Sequence, residues 1–150
     1  TLLPDADYSN SSGVRMIYGL SDQTSANSIC GSDNVSNQDL IAFSYSTALS
    51  SNWRIAADDG SASTPTYTDT GVAFTVSTTY DMYIYSPPYP EHSVVYWRLD
   101  DVTNGTTVEG TASTQLPAAS TLLGIVACFD SVNAVSRNYR MEIIYGELPR

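Results

Sequence analysis

His92 is the only histidine in the chain, so any mechanism in which a histidine activates a serine or cysteine nucleophile must use it. It follows Glu91 in a proline-rich loop, and no G-x-S-x-G elbow occurs anywhere in the sequence. Zinc needs three or four nitrogen or sulfur ligands, which one histidine and two distant cysteines do not supply. We therefore expect a solvated loop histidine, no bound metal or cofactor, and no enzyme built on this residue.

Acidic side chains in predicted strands offer a different chemistry. These are Asp81, Asp100, Glu109 and Glu142. A sandwich-fold glycosidase would use two carboxyl groups about 5–9 Å apart across a cleft. Solvated acids on a sheet surface explain the same pattern, so a glycoside hydrolase is kept as the alternative to a protein that only binds.

Three aspartates in predicted turns, Asp58, Asp59 and Asp69, could bind Ca²⁺ if their loops converge, because calcium prefers several hard oxygen ligands. Aspartate is also a common turn former, and Asp58-Asp59-Gly60 has the composition of a turn. We favour the turn interpretation and leave a calcium site open.

The two cysteines lie in unlike surroundings. Cys128 belongs to the apolar run from Leu122 to Phe129, which is typical of a buried thiol, whereas Cys30 lies in a Ser/Gly/Asn-rich stretch that resembles a loop. We favour two separate thiols, with a Cys30–Cys128 disulfide as the alternative.

The many aromatic side chains are the strongest indication of a binding surface, since the chain has eleven Tyr, two Trp and three Phe. Tyr83 and Tyr85 alternate with apolar residues on one predicted strand, and Tyr89 follows among prolines that fix φ. Sugar rings stack on aromatic faces, and tyrosine adds a hydroxyl group for hydrogen bonding. We interpret Tyr83, Tyr85, Tyr89 and His92 as an exterior contact for a glycan or for a neighbouring subunit.

A subunit interface would use the same residue types, since Tyr and Arg are enriched where protein chains meet. The candidate anchors of such an interface are Trp97, Tyr139 and Arg140.

Composition restricts the classes of partner. The net charge is −10, all six basic residues are Arg, and they form no cluster. Nucleic-acid binding and contact with an anionic membrane are therefore disfavoured. The longest apolar run is too short to cross a bilayer.

The pattern of apolar residues predicts an all-β fold. In the segment from Thr79 to Ser86, Tyr80, Met82 and Ile84 alternate with polar or aromatic residues, as in a half-buried strand. Roughly nine or ten such strands are separated by polar turns, without an amphipathic helix, which favours a single jelly-roll β-sandwich over residues 14–150. Residues 1–13 are polar and form an N-terminal arm or first edge strand.

Four further expectations concern particular segments. Residues 21–38 are predicted to form a surface loop, Asn104-Gly105 a two-residue hairpin turn, Leu122–Phe129 a central strand, and Ser136–Tyr145 the last strand.

Several short elements follow one another in a distinctive order. They are Tyr18–Asp22, Phe43–Tyr45, Asn52–Arg54, Asp69–Ala73, Tyr80–Pro88, Val95–Thr106 and Arg137–Met141. This order, which extends over almost the whole chain from about residue 14, resembles that of the laminin-G or concanavalin-A-like jelly-roll modules of phage virion proteins.

The resemblance implies a structural protein on the exterior of a virion, as in tail fibres, head fibres and capsid decoration proteins. Such modules are commonly homotrimers, contact other virion proteins and share no catalytic residues. We therefore expect a non-enzymatic protein that binds the virion and host-surface polysaccharide. A free carbohydrate-binding module is a further alternative.

Overall fold

The computed structural model describes residues 2–4, 13–61, 64–87, 93–131 and 139–141. They form an almost all-β protein in which the one described helix, α1, spans Ala26–Cys30. No helix within these ranges is long and apolar enough to cross a membrane. The described strands are β1 Leu2–Pro4, β2 Val14–Ser21, β3 Asp39–Ser46, β4 Asn52–Asp59, β5 Thr66–Ala73, β6 Tyr80–Tyr85, β7 Val95–Asp101, β8 Thr106–Ala112, β9 Gly124–Ser131 and β10 Tyr139–Met141.

Two antiparallel sheets contain these strands. In the first sheet the order is β10-β1-β6-β7-β8, in which β6, β7 and β8 are the long strands and β1 and β10 have three residues each. The second sheet has the order β5-β4-β3-β2-β9. Part of the predicted N-terminal arm is thus a paired strand, since Leu2 lies opposite both Tyr80 and Met141.

The core between the sheets is rich in aromatic rings. Trp53 is completely buried and lies within 6.1 Å, centre to centre, of the rings of Tyr18, Tyr45, Phe74 and Tyr80. The hydroxyl group of Tyr80 has hydrogen-bond partners inside the protein, because it donates to the carbonyl of Ala73 at 2.9 Å and accepts from the amide of Thr75 at 2.8 Å. Strand alternation therefore sends one set of side chains into a packed aromatic layer and the other set outward.

The outer face of the second sheet is covered by residues 22–38, which we call the strap. The sequence predicted a surface loop here, but Ile29, Cys30 and Val35 of the strap are buried against a second apolar cluster that includes Ile17 and Ala42. Strand β3 is consequently buried on both faces. The prediction failed because three apolar side chains in a polar segment give no periodic signal.

Covalent and ionic contacts fasten the strap to the sheet. Cys30 forms a disulfide with Cys128 of β9, so the expectation of two separate thiols was wrong. Arg15 of β2 donates from Nε to Asp33 at 2.8 Å and from Nη1 to Asp130 at 3.2 Å. The hydrogen bond from Arg15 lowers the pKa of Asp33, despite an opposing contribution from burial.

Two other segment predictions need correction. Strand β9 pairs only with β2 in the described strand order, so it is an edge strand and not a central one, and Leu122 before it is 92% exposed. The β7–β8 connection has four residues between the paired Asp101 and Thr106, with positive φ at Gly105 alone, in place of a two-residue turn. The amide of Asn104 donates to Asp101 Oδ1 at 2.9 Å and stabilises the longer turn. Most of the predicted Ser136–Tyr145 strand lies outside the described residues.

Removing the disulfide tests how firmly the strap is held. It joins residues 98 positions apart, and closing a loop of about 100 residues is worth roughly 4–5 kcal/mol. We expect the double variant Cys30→Ala/Cys128→Ala to melt about 10 °C below the oxidised protein in a calorimetric scan. The reduced wild-type protein is the matched control and should show a similar decrease. A melting temperature unchanged in both would mean that the ionic contacts alone fasten the strap.

Candidate functional site

Strands β6, β7 and β8 present an outer face, opposite the core, that no other described element covers. Tyr80, Trp97 and Leu99 point inward and are buried, so the residues between them point outward. We call this surface the tyrosine face. Its nine positions are Asp81, Tyr83 and Tyr85 from β6, Tyr96, Arg98 and Asp100 from β7, and Thr107, Glu109 and Thr111 from β8.

Strand register arranges these side chains in three rows across the sheet. Tyr85 lies opposite Tyr96, Tyr83 opposite Arg98, and Asp81 opposite Asp100. Glu109 continues the row of Arg98 on β8. Strand spacing gives the face dimensions of about 10 Å by 13 Å. One end is therefore aromatic, the other end acidic, and a single guanidinium group lies between them.

The aromatic row contains two stacked rings. Tyr85 and Tyr96 have ring centres 5.3 Å apart and planes inclined by 10°. Tyr85 is nevertheless 57% exposed, and Tyr83 in the next row is 48% exposed. Large aromatic side chains are thus held in fixed positions while much of their surface remains open to a ligand.

Arg98 organises the middle of the tyrosine face. Its Nε lies 2.9 Å and 3.0 Å from the two carboxylate oxygens of Asp100, and Nη1 lies 3.8 Å from Glu109. Its guanidinium carbon is 5.8 Å from the ring centre of Tyr83. Thr107 donates a further hydrogen bond to Asp100 at 2.7 Å. The hydrogen bond from Arg98 lowers the pKa of Asp100, which therefore remains ionised at neutral pH.

The structure brings together some of the predicted site residues and not others. Tyr83 and Tyr85 share the tyrosine face with Tyr96 and Arg98, which the sequence reasoning did not include in the binding site. The signal was available, because Tyr96, Arg98 and Asp100 alternate with Val95, Trp97 and Leu99 along β7. Tyr89 and His92 lie outside the described residues.

The predicted interface anchor Trp97 is a core residue. It is 5% exposed, and its ring meets Phe43 of the second sheet edge to face at 6.3 Å between centres. It also covers Gly110 so closely that a Cβ atom there would overlap the ring. Trp97 therefore offers no exposed ring to a second subunit. Tyr139 and Arg140 belong to β10, at the end of the described strand order of the first sheet.

Three of the four strand acids considered for glycoside hydrolysis lie on the tyrosine face. Asp81 and Asp100 are direct cross-strand neighbours, and Glu109 is on the adjacent strand. Glu142 is outside the described residues. A general acid needs a raised pKa, whereas Arg98 shifts that of Asp100 in the opposite direction.

The three aspartates considered for calcium do not converge. Asp58 is buried, and burial raises the pKa of its carboxyl group. Asp69 lies opposite Arg54, four residues along β4 from Asp58, which is about 13 Å of strand. Asp69 instead accepts hydrogen bonds from Asn52 and the amide of Gly71. Across the described part of the chain, no three His, Cys, Asp or Glu side chains gather as metal ligands would.

No protein family, curated protein or solved structure matches this chain.

The link between Arg98 and Asp100 can be measured directly. In the variant Arg98→Gln we expect the pKa of Asp100 to rise toward the ordinary aspartate value, because its charge-assisted hydrogen bond is lost. A carboxyl-detected NMR titration reports this pKa, and Asp33 provides the control because its partner is Arg15. An Asp100 pKa that does not change would contradict the arrangement described.

Proposed function

We propose that this protein is a non-enzymatic component of the exterior of a phage virion, folded as a jelly roll, and that its tyrosine face binds a surface glycan. The observation that carries the binding function is the exposure of Tyr83 and Tyr85 on a rigid sheet beside the Tyr96 ring and the Arg98 guanidinium. The virion setting rests on the resemblance of the sequence elements to phage jelly-roll modules.

The strand connections support the jelly-roll proposal. The chain passes between sheets from β1 to β2, from β5 to β6, from β8 to β9 and from β9 to β10. Strand β1 pairs with β10 in the first sheet and β2 pairs with β9 in the second. Early strands that pair with late strands in both sheets are what rolling up an antiparallel ribbon produces. At one edge of the sandwich, Thr66 of β5 donates to Gln115, which follows β8, at 2.9 Å.

A sheet surface with fixed tyrosines suits glycan binding for an energetic reason. Tyrosine supplies a large, rigid contact area at a small cost in side-chain entropy. The stack of Tyr85 on Tyr96 reduces that cost further, because the ring is already ordered before a ligand arrives. The neighbouring carboxylates and threonine hydroxyl groups can accept hydrogen bonds from sugar hydroxyls.

The ionised state of Asp100 bears on whether the tyrosine face binds a glycan or cleaves it. A glycosidase of this kind would keep one carboxyl group protonated to donate to the leaving oxygen. Arg98 and Thr107 both stabilise the ionised form of Asp100. Asp100 is therefore unsuited to the role of the general acid. Because the modules that the sequence resembles share no catalytic residues, we propose that the acids of the tyrosine face orient a ligand and cleave nothing.

The variant Tyr85→Ala tests the binding surface. We expect glycan affinity to fall about tenfold or more, because a large exposed aromatic contact is lost. The stack with Tyr96 is worth only about 1 kcal/mol, so the fold should remain intact in a thermal melt. Isothermal calorimetry against polysaccharide from a host surface measures the affinity. Tyr85→Phe is the matched control, since it keeps the ring. Equal binding by all three proteins would contradict the proposal.

We also propose that the protein is a homotrimer, as the resemblance implies. Strand β10, which contains Tyr139 and Arg140, ends the described strand order of the first sheet. Such a position is where sheets can extend or meet, because edge strands carry unpaired backbone groups. Light scattering at micromolar concentration should give three times the 16.2 kDa chain mass. A monomer mass that persists on concentration would contradict this assembly.

A further inference from the structure

The balance of charge on the tyrosine face restricts which glycan it can bind. The face contains the carboxylates of Asp81, Asp100 and Glu109 and only one cation, Arg98. That cation already contacts Asp100 twice and lies 3.8 Å from Glu109. An anionic sugar would have to displace these internal partners while approaching two or three negative charges.

The other arginines with described side chains offer no alternative cation. Arg15 is held by Asp33 and Asp130 beneath the strap. Arg54 is 8% exposed, and its guanidinium group lies 4.2 Å from the ring centre of Tyr67. Both belong to the second sheet. The chain as a whole has a net charge of −10, so long-range attraction also fails for polyanions.

A neutral sugar is not repelled by the carboxylates of the tyrosine face and can form favourable contacts with them. Its C–H surface can lie on the exposed rings of Tyr83 and Tyr85, and the carboxylate oxygens of Asp100 and Glu109 accept hydrogen bonds from its hydroxyl groups. Charge-assisted hydrogen bonds of this kind are stronger than neutral ones. The acidic side chains therefore stabilise the binding of a ligand that is rich in hydroxyl groups and carries no charge.

We propose that the tyrosine face is selective for neutral, hydroxyl-rich glycans and excludes glycans that bear carboxylate or sulfate groups. This selectivity rests on the proposed glycan-binding function. It makes Glu109, which is exposed and adjacent to Arg98, a residue that determines specificity by repelling anionic ligands.

Neutral polymers and their charged derivatives test the selectivity separately from glycan binding itself. Affinity electrophoresis would compare dextran, mannan and galactan with the carboxymethylated form of each polymer. We expect at least one neutral polymer to retard the protein, and its carboxymethylated form to bind about tenfold more weakly or worse. The difference should shrink as salt is added, because exposed charges are screened.

Reversing the charge of Glu109 on the tyrosine face is the second test of the selectivity. In Glu109→Lys we expect the preference to shift toward the carboxymethylated polymer by about tenfold, while Glu109→Gln gives a smaller shift in the same direction. The control Asp22→Lys changes the net charge by the same amount at an exposed position of the strap, away from this face. It should leave the preference almost unchanged. Thermal melts establish that each variant is folded.

Each outcome decides between the proposals. Equal or tighter binding of carboxymethylated polymer by the wild-type protein overturns the selectivity and leaves glycan binding standing. An equal shift in Asp22→Lys and Glu109→Lys also overturns it, because the effect would then belong to the total charge. Failure to bind any polymer, neutral or anionic, overturns the glycan-binding function itself.

Discussion

Two aromatic contacts between the sheets determine the rest of this structure. Trp53 of the second sheet meets Tyr80 of the first at 5.7 Å, and Phe43 meets Trp97 at 6.3 Å. Because Tyr80 and Trp97 must enter the core, strand alternation leaves Tyr83, Tyr85 and Arg98 no direction but outward. The inner layer thus fixes which residues reach solvent, and the same contacts that stabilise the fold orient the candidate binding surface.

The two sheets treat their outer faces differently. The second sheet has apolar residues on both faces, and the strap covers the outer one with Ile29 and Val35. The first sheet has tyrosines, acids and an arginine on its outer face, and these need no cover. The protein therefore separates its tasks, since one sheet is enclosed for stability and the other displays a polar and aromatic surface.

Local alternation was readable from the sequence, and pairing was not. The inward positions of Tyr80, Met82 and Ile84 follow from a period of two and agree with their burial. Which tyrosine meets which partner depends on register, and the register between β6 and β7 is set by the whole fold. The run in β9 was misread because an apolar run does not report which edges of a strand are paired. Nor is the strand covered throughout, since Ile125 is 49% exposed.

The disulfide and the strap show a similar limit. Nothing in a separation of 98 residues says that Cys30 and Cys128 meet, since that contact depends on β9 pairing beside β2 on the sheet that the strap covers. The ionic contacts of Arg15 were equally hidden, because Asp33 and Asp130 come from opposite ends of the chain. Long-range partners of this kind belong to the tertiary structure and leave no local pattern.

The pairing of early strands with late ones has a consequence for synthesis. Met16 of β2 is paired with Phe129 of β9, so a nascent chain that ends before β9 has an unpaired edge on β2. That edge presents Met16 and Ile17, which are both apolar and both buried in the finished protein. Open, apolar strand edges associate with one another. A nascent chain that still lacks β9 is therefore open to association through β2, and the arrival of β9 ends that exposure.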